Sequence, residues 1–175
     1  MIDKFKASSI TDSLTKLYNR RYFLTHAHNI IRAAEPEKSP TSLIMCDLDY
    51  FKKINDAYGH HAGDDALIAF ANMLKTTLRE QDTIARIGGE EFVILLPQTG
   101  IELVMQICER IRTNTEALEI KVSTNTIKLT ASFGICQVNP NLPIESNIQL
   151  ADQSLYKAKS NGRNRVVHYN FNITA

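Results

Sequence analysis

Two glycines followed by two carboxylates, set between apolar runs, constrain this chain more than any other stretch: Arg86-Ile87-Gly88-Gly89-Glu90-Glu91-Phe92. Thr83-Ile84-Ala85 before it and Phe92-Val93-Ile94-Leu95-Leu96 after it read as strands. The glycines therefore mark a tight hairpin, where glycine takes positive φ at little cost and lets another group approach the main chain. Glu90 and Glu91 then stand at the start of a buried strand. Carboxylates are costly there unless a cation or hydrogen-bond donors satisfy them, which points to a metal or polyphosphate site. For an isolated Gly-Gly-Glu-Glu, an ordinary hairpin with solvated glutamates would be the better reading.

The rest of the chain has to supply what the hairpin lacks, and its composition bounds how. At 175 residues, 43% hydrophobic and 22% charged, it is sized for one core. A net charge of +1 argues against a broad nucleic-acid or membrane surface, so a nucleotide would be held locally. Cys46, Cys108 and Cys136 lie in apolar surroundings without metal-type spacing and read as reduced core residues of a cytoplasmic protein. No apolar run approaches the ~20 residues of a membrane helix, and none resembles a signal peptide. Asn172-Ile173-Thr174 matches a glycosylation sequon that is incidental in that setting.

Helical and strand periods alternate along the chain. A helix is expected from Asp12 to about Arg32, capped by Asp12 or Ser13, before a breaker from Pro36 to Pro40. The continuous apolar run Leu43-Ile44-Met45-Cys46 predicts a buried strand that delivers Asp47 and Asp49 to its carboxyl end. A short helical turn and a glycine-containing loop follow; then Ala66, Leu67, Phe70, Ala71, Leu74 and Leu78 recur on one helical face. Beyond the hairpin a helix carries Leu103, Ile107 and Ile111, and strands are expected at Ile120 to Val122 and Ile127 to Cys136, with a possible turn at residues 123–126. A last helix from about Ile148 to Ser160 ends at Gly162, and residues 165–169 close the sheet. This order belongs to the α+β class, a ferredoxin-like palm whose mixed central sheet carries helices on one face.

A second dense segment runs from Asp47-Leu48-Asp49-Tyr50-Phe51-Lys52 through Asn55 and His60 to Asp64. With the hairpin, Asp12-Ser13-Leu14-Thr15-Lys16-Leu17, and Lys159-Ser160-Asn161-Gly162-Arg163-Asn164-Arg165, it resembles the GGDEF family of diguanylate cyclases, here with a GGEEF signature. Four motifs in the right order cover nearly the whole chain. The resemblance assigns residues 12–170 to the catalytic domain, with 1–11 as linker and 171–175 as tail. Lys16 departs from the glycine common at its position, a change confined to the entry turn.

The resemblance implies condensation of two GTP molecules into cyclic di-GMP with release of two pyrophosphates. Its metal would be magnesium, with manganese an acceptable substitute, held by Asp47, Glu90 and the carbonyl of Leu48. Hard oxygen ligands suit that ion. Glu90 is the first choice of proton acceptor, with Glu91 as a second carboxylate or ligand, and Lys52 as a transition-state cation. Lys52, Lys159 and Arg163 are the triphosphate candidates, assisted by backbone amides near Tyr50 and Phe51. Cations near a helix C-terminus are common for the dipole alone, which is the competing reading of Lys159 and Arg163. Asn55 and Asp64 would read the guanine edge, with His60 beside them; the bland alternatives are a turn asparagine and a helix N-cap.

Arg79-Glu80-Gln81-Asp82 stands at the interval of the family's product-inhibition site, with Arg110 as a second arm. One subunit holding one GTP implies a homodimer for catalysis and a sensor domain in the full-length protein, for which residues 1–10 are too short. The alternative is a catalytically inactive domain that binds GTP or cyclic di-GMP. An adenine-using or mononucleotide cyclase is a further enzymatic rival, which Asp64 disfavours.

Overall fold

The Asp12 segment does not open the first helix. In the computed structural model, which describes residues 9–34 and 39–171, it folds into a turn. Asp12 Oδ2 accepts from the Thr15 amide at 2.8 Å and hydroxyl at 2.7 Å, and the Asp12 amide reaches Leu17 O at 2.7 Å. Lys16 sits in that turn at φ 62°, the left-handed region that glycine occupies at least cost, which accounts for glycine being the expected residue there. Leu17 is thereby buried, Tyr18–Asn19 form strand β1, and helix α1 begins only at Arg20 and runs to Ala33. Its cap is Asn19, whose side chain accepts from Tyr22 N. Residues 1–8 of the expected linker, Pro36 of the breaker and the 172–174 sequon lie outside the described residues.

Strand β2 (Ser42–Leu48) is buried at all seven positions. Helices α2 (Phe51–Tyr58) and α3 (His60–Thr77) follow, separated by Gly59 at φ 91°, and then the hairpin of β3 (Thr83–Arg86) and β4 (Glu91–Leu96). Helix α4 (Ile101–Glu116) leads to a small separate hairpin, β5 (Ile120–Val122) with β6 (Asn125–Ile127), so the strand expected from Ile127 is broken before β7 (Ala131–Gln137). Helix α5 (Ile144–Ser160) starts four residues earlier than its apolar pattern suggests, and β8 (Val166–His168) closes the sheet.

The six strands lie in the order β1-β3-β4-β2-β7-β8. β2 runs antiparallel to both β4 and β7, and the parallel pairs β1–β3 and β7–β8 sit at the edges, so the sheet is mixed, as expected. Helices cover both faces rather than one. Ile44, Cys46 and Leu48 pack with Phe70, Leu74, Cys108 and Ile111 of α3 and α4, while Leu43 and Met45 pack with Phe23, Ala27, Ala151 and Leu155 of α1 and α5. Two-sided burial is what an uninterrupted apolar strand requires. Leu103, expected in the core, is exposed; Val104, Cys108 and Ile111 carry the buried face of α4. Gly134 of β7 lets α5 lie directly on the sheet, since a Cβ there would stand 2.1 Å from Ala151 O. All three cysteines are buried free thiols. Among the described residues no helix is long and apolar enough to cross a membrane.

Candidate active site

The two acids at the end of β2 have different surroundings. Asp49 accepts from Thr130 Oγ1 and Ser132 Oγ, each at 2.6 Å, and from Asn164 N at 3.0 Å. It ties β7 and the turn after α5 to the end of β2. Asp47 is buried with a single hydrogen-bond partner among the described residues: Lys159 Nζ of α5 stands 2.6 Å from its Oδ2. Burial pushes the Asp47 carboxyl up; Lys159 opposes that, Asp49 and Asp152 add to it, and the net shift is upward.

The hairpin brings the second acid. Leu48 N donates to Glu90 O at 3.3 Å, which fixes the hairpin tip beside the end of β2. Arg86 clamps the tip: its Nε reaches Gly88 O and Gly89 O at 3.2 and 3.0 Å, its Nη2 reaches Gly89 O at 2.8 Å, and its Nη1 lies 3.2 Å from the Asp12 carboxylate. Burial works against the ionised Asp12, but the Thr15 donors and Arg86 outweigh it and hold its carboxyl below the usual range. Neither hairpin glycine takes the positive φ expected of it. Gly88 instead gives room to the Glu91 side chain: a Cβ there would lie 2.8 Å from Glu91 Oε2 and 3.3 Å from Glu91 Cβ, so the carboxylate would have to shift. The Glu91 side chain therefore folds over Gly88, although its backbone is paired in register with Asp47. Glu90 is raised by burial first and by the Asp47 charge second, with Lys159 opposing and Glu91 adding. Asp47, Glu90 and Lys159 thus form one electrostatic cluster drawn from β2, the hairpin and α5.

Two like-charged carboxyls, both raised, suit a divalent cation. The described residues hold no cluster of three or more His, Cys, Asp or Glu side chains placed to hold a metal. Magnesium needs only one or two carboxylates, because it retains several waters, so the donor set fits it. The Leu48 side chain is in the core, so only its carbonyl is left as a ligand.

Helix α2 starts at this end of the sheet. Tyr50 precedes it at φ 55° with no side-chain cap, and the first amide bonded back to Tyr50 is Ile54 N at 3.3 Å. The amides of Phe51, Lys52 and Lys53 are left without a helical acceptor, at the positive end of the helix. Phe51 itself is buried, so its amide is its route to a ligand, whereas the Lys52 side chain is exposed.

Asn55 and Asp64 lie inside helices, Asn55 in α2 and Asp64 in α3, so neither the turn nor the cap reading holds. Asn55 Oδ1 is buried without a hydrogen-bond partner, and a Cβ on Gly63 would fall 1.9 Å from it. Gly63 thus leaves room for the Asn55 amide, and Asp64 and His60 are exposed on α3. Arg163, in the turn after α5, stands over the Tyr50 ring.

The Arg79 motif is closed on itself. Arg79 donates through its amide and Nε to Asp82 Oδ2, and through Nη2 to Asp82 Oδ1, Pro97 O and Thr99 Oγ1. The Asp82 side chain is 1% exposed and turned onto Arg79. Arg110 is exposed on α4, and no hydrogen bond or ion pair joins it to either residue. The sequence reading missed the Arg86 clamp, the Gly63 fit and the Tyr50 ring, each of which depends on a contact between separate elements.

The chain matches the family described as "Diguanylate cyclase, GGDEF domain" over residues 9–165. It is 41% identical over 161 residues to diguanylate cyclase A of Treponema denticola, covering 89% of this chain and 43% of that protein. It is 37% identical over 163 residues to the response regulator PleD of Caulobacter vibrioides, covering 91% of this chain and 36% of that one. The chain spans less than half the length of these curated relatives. Among solved structures, the GGDEF domain of DgcB from Caulobacter crescentus in complex with c-di-GMP is similar at a TM-score of 0.87 and 30% identity, over 92% of this chain and 96% of that one.

Proposed function

The chain belongs to the GGDEF diguanylate cyclase family, and from that premise we propose that it condenses two molecules of GTP into cyclic di-GMP and releases two pyrophosphates. One observation carries the reading: β2, the hairpin and α5 bring Asp47, Glu90 and Lys159 to one end of the sheet. Magnesium, or manganese in its place, would be held by Asp47, Glu90 and the Leu48 carbonyl, and when bound there would neutralise phosphate charge.

In each half-reaction a ribose 3′-oxygen attacks the α-phosphorus of the other nucleotide, a new phosphodiester bond forms, and the bond to the α,β-bridging oxygen breaks with pyrophosphate leaving. Glu90 takes the proton of the attacking hydroxyl. Glu91, folded over Gly88, serves as the second carboxylate. The amides at the start of α2 and the cations Lys52, Lys159 and Arg163 bind the triphosphate, and Lys52 follows its charge into the transition state. Asn55 and Asp64 select guanine, with His60 at the edge of the pocket. The partnerless Asn55 amide oxygen supports this, because a polar site left unpaired by the wrong base discriminates against it.

A single chain binds one GTP, so turnover needs two copies related by a two-fold axis, each presenting its hydroxyl to the other's phosphate. A sensor segment acting on such a domain would set how often two copies meet. Product inhibition is assigned to Arg79, Asp82 and Arg110, where a bound product would have to draw the Arg79 fork out of its contacts with Asp82, Pro97 and Thr99 to meet guanine O6 and N7. Incubating the protein with GTP, ATP and magnesium and resolving products by mass tests the assignment. Cyclic di-GMP from GTP alone is expected; GTP binding with no dinucleotide would favour an inactive binding domain.

A further inference from the structure

Tyr50 is 53% exposed, a large ring outside the core, on a residue whose backbone sits in the left-handed region. Its ring has cationic company: Arg163 Cζ lies 4.7 Å and Lys53 Nζ 4.5 Å from the centroid. Both distances fall within the range in which a ring attracts a cation.

The turn that carries Arg163 is held by main-chain contacts. Gly162, Arg163 and Asn164 are three consecutive residues at positive φ, 120°, 64° and 45°. Arg163 N donates to Ala158 O at 3.0 Å, Arg163 O accepts from Arg165 Nε at 3.0 Å, and Asn164 N donates to Asp49 Oδ2 at 3.0 Å. Asp49 precedes Tyr50, so adjacent residues grip the turn in different ways. The carboxylate fixes its backbone, and the ring meets its guanidinium.

The guanidinium has no carboxylate partner among the described residues. A carboxylate there would fix Arg163 by neutralising it and occupying its donors. A ring orients the same group while leaving its charge and its in-plane N–H donors for an anion.

We propose that Tyr50 is a positioning residue for GTP, its ring holding the Arg163 guanidinium ready for the triphosphate. This rests on the reading of Arg163 as a phosphate ligand. The ring acts through Arg163, and the tyrosine hydroxyl has no part in it.

The test measures affinity for a GTP analogue with a methylene in place of the α,β-bridging oxygen, alongside KM and kcat for GTP, in the parent, Tyr50→Leu, Tyr50→Phe, Arg163→Ala and the Tyr50→Leu/Arg163→Ala pair. Tyr50→Leu is expected to weaken analogue binding and raise KM about 2- to 5-fold with kcat little changed. Tyr50→Phe is expected to restore binding, and the double variant to bind no more weakly than Arg163→Ala. Parent-like binding by Tyr50→Leu, equal losses in the Leu and Phe variants, or the same Leu effect with Arg163 already absent would each overturn the proposal. If Arg163→Ala binds like the parent, Arg163 is not a phosphate ligand and the proposal falls with that reading. If Arg163→Ala is weak and Tyr50→Leu is not, only the role of Tyr50 is lost.

Discussion

Lys159 Nζ lies 2.6 Å from Asp47 Oδ2, joining α5 to the end of β2 across 112 residues of sequence. The site thus carries an internal counter-ion on the carboxylate assigned to a divalent cation. Lys159→Met is expected to cost about 1–2 kcal/mol of stability in divalent-free buffer, less than a fully buried pair because the lysine is partly exposed. Magnesium should then raise the melting temperature of the variant more than that of the parent. Equal stability with and without the lysine would show that the pair is not a working contact.

The raised carboxyls make a pH prediction. A group whose folded pKa exceeds its unfolded value binds more protons when folded, so stability falls as pH rises through that interval and stays lower above it. Burial and then Asp47 raise Glu90 in this way. In divalent-free buffer Glu90→Gln should therefore gain stability relative to the parent over the pH range that starts at the ordinary glutamate value and runs upward. Melts that differ by a constant amount across that range would contradict the shift.

Gly63→Ala tests the base pocket through packing. The new Cβ would meet Asn55 Oδ1 at 1.9 Å, and because that atom ends a movable side chain, the amide can be displaced while the fold survives. GTP affinity is expected to drop about tenfold, the loss of roughly one hydrogen bond of 1.4 kcal/mol, with circular dichroism unchanged. Undiminished GTP binding in a folded variant would remove Asn55 from base recognition.

Arg79→Ala should have two effects. Inhibition by cyclic di-GMP should be relieved, and stability should fall by about 1–3 kcal/mol, because the side chain also holds Pro97 O, Thr99 Oγ1 and the buried Asp82 carboxylate. A stability loss with unchanged inhibition would make the motif purely structural.

The strands, most helices and the acids of the site were legible because apolar periodicity and short motifs are local signals. Contacts between distant elements were not. Asp12 looked like a helix cap because its side chain does cap a turn, but Asn19 caps α1, and Asp12 instead meets Arg86 from 74 residues away. The hairpin glycines were read as positive-φ turn residues, yet neither takes a positive φ, and Gly88 leaves room for the Glu91 side chain that lies over it. Helices on both faces were implied by the unbroken apolar run of β2 but obscured by expecting a one-sided sheet. The continuous strand expected from Ile127 was broken because residues 128–130 separate β6 from β7, a change of sheet that apolar character does not report.

The most direct measurement is a product assay by mass with GTP and magnesium, comparing the parent with Glu90→Gln, together with GTP binding by calorimetry with and without magnesium. The parent should form cyclic di-GMP, and the variant should bind GTP yet lose turnover by at least about 100-fold, the scale of a missing general base. Parent-like turnover in the variant, or GTP binding indifferent to magnesium, would show that the Asp47–Glu90 cluster does not perform the chemistry.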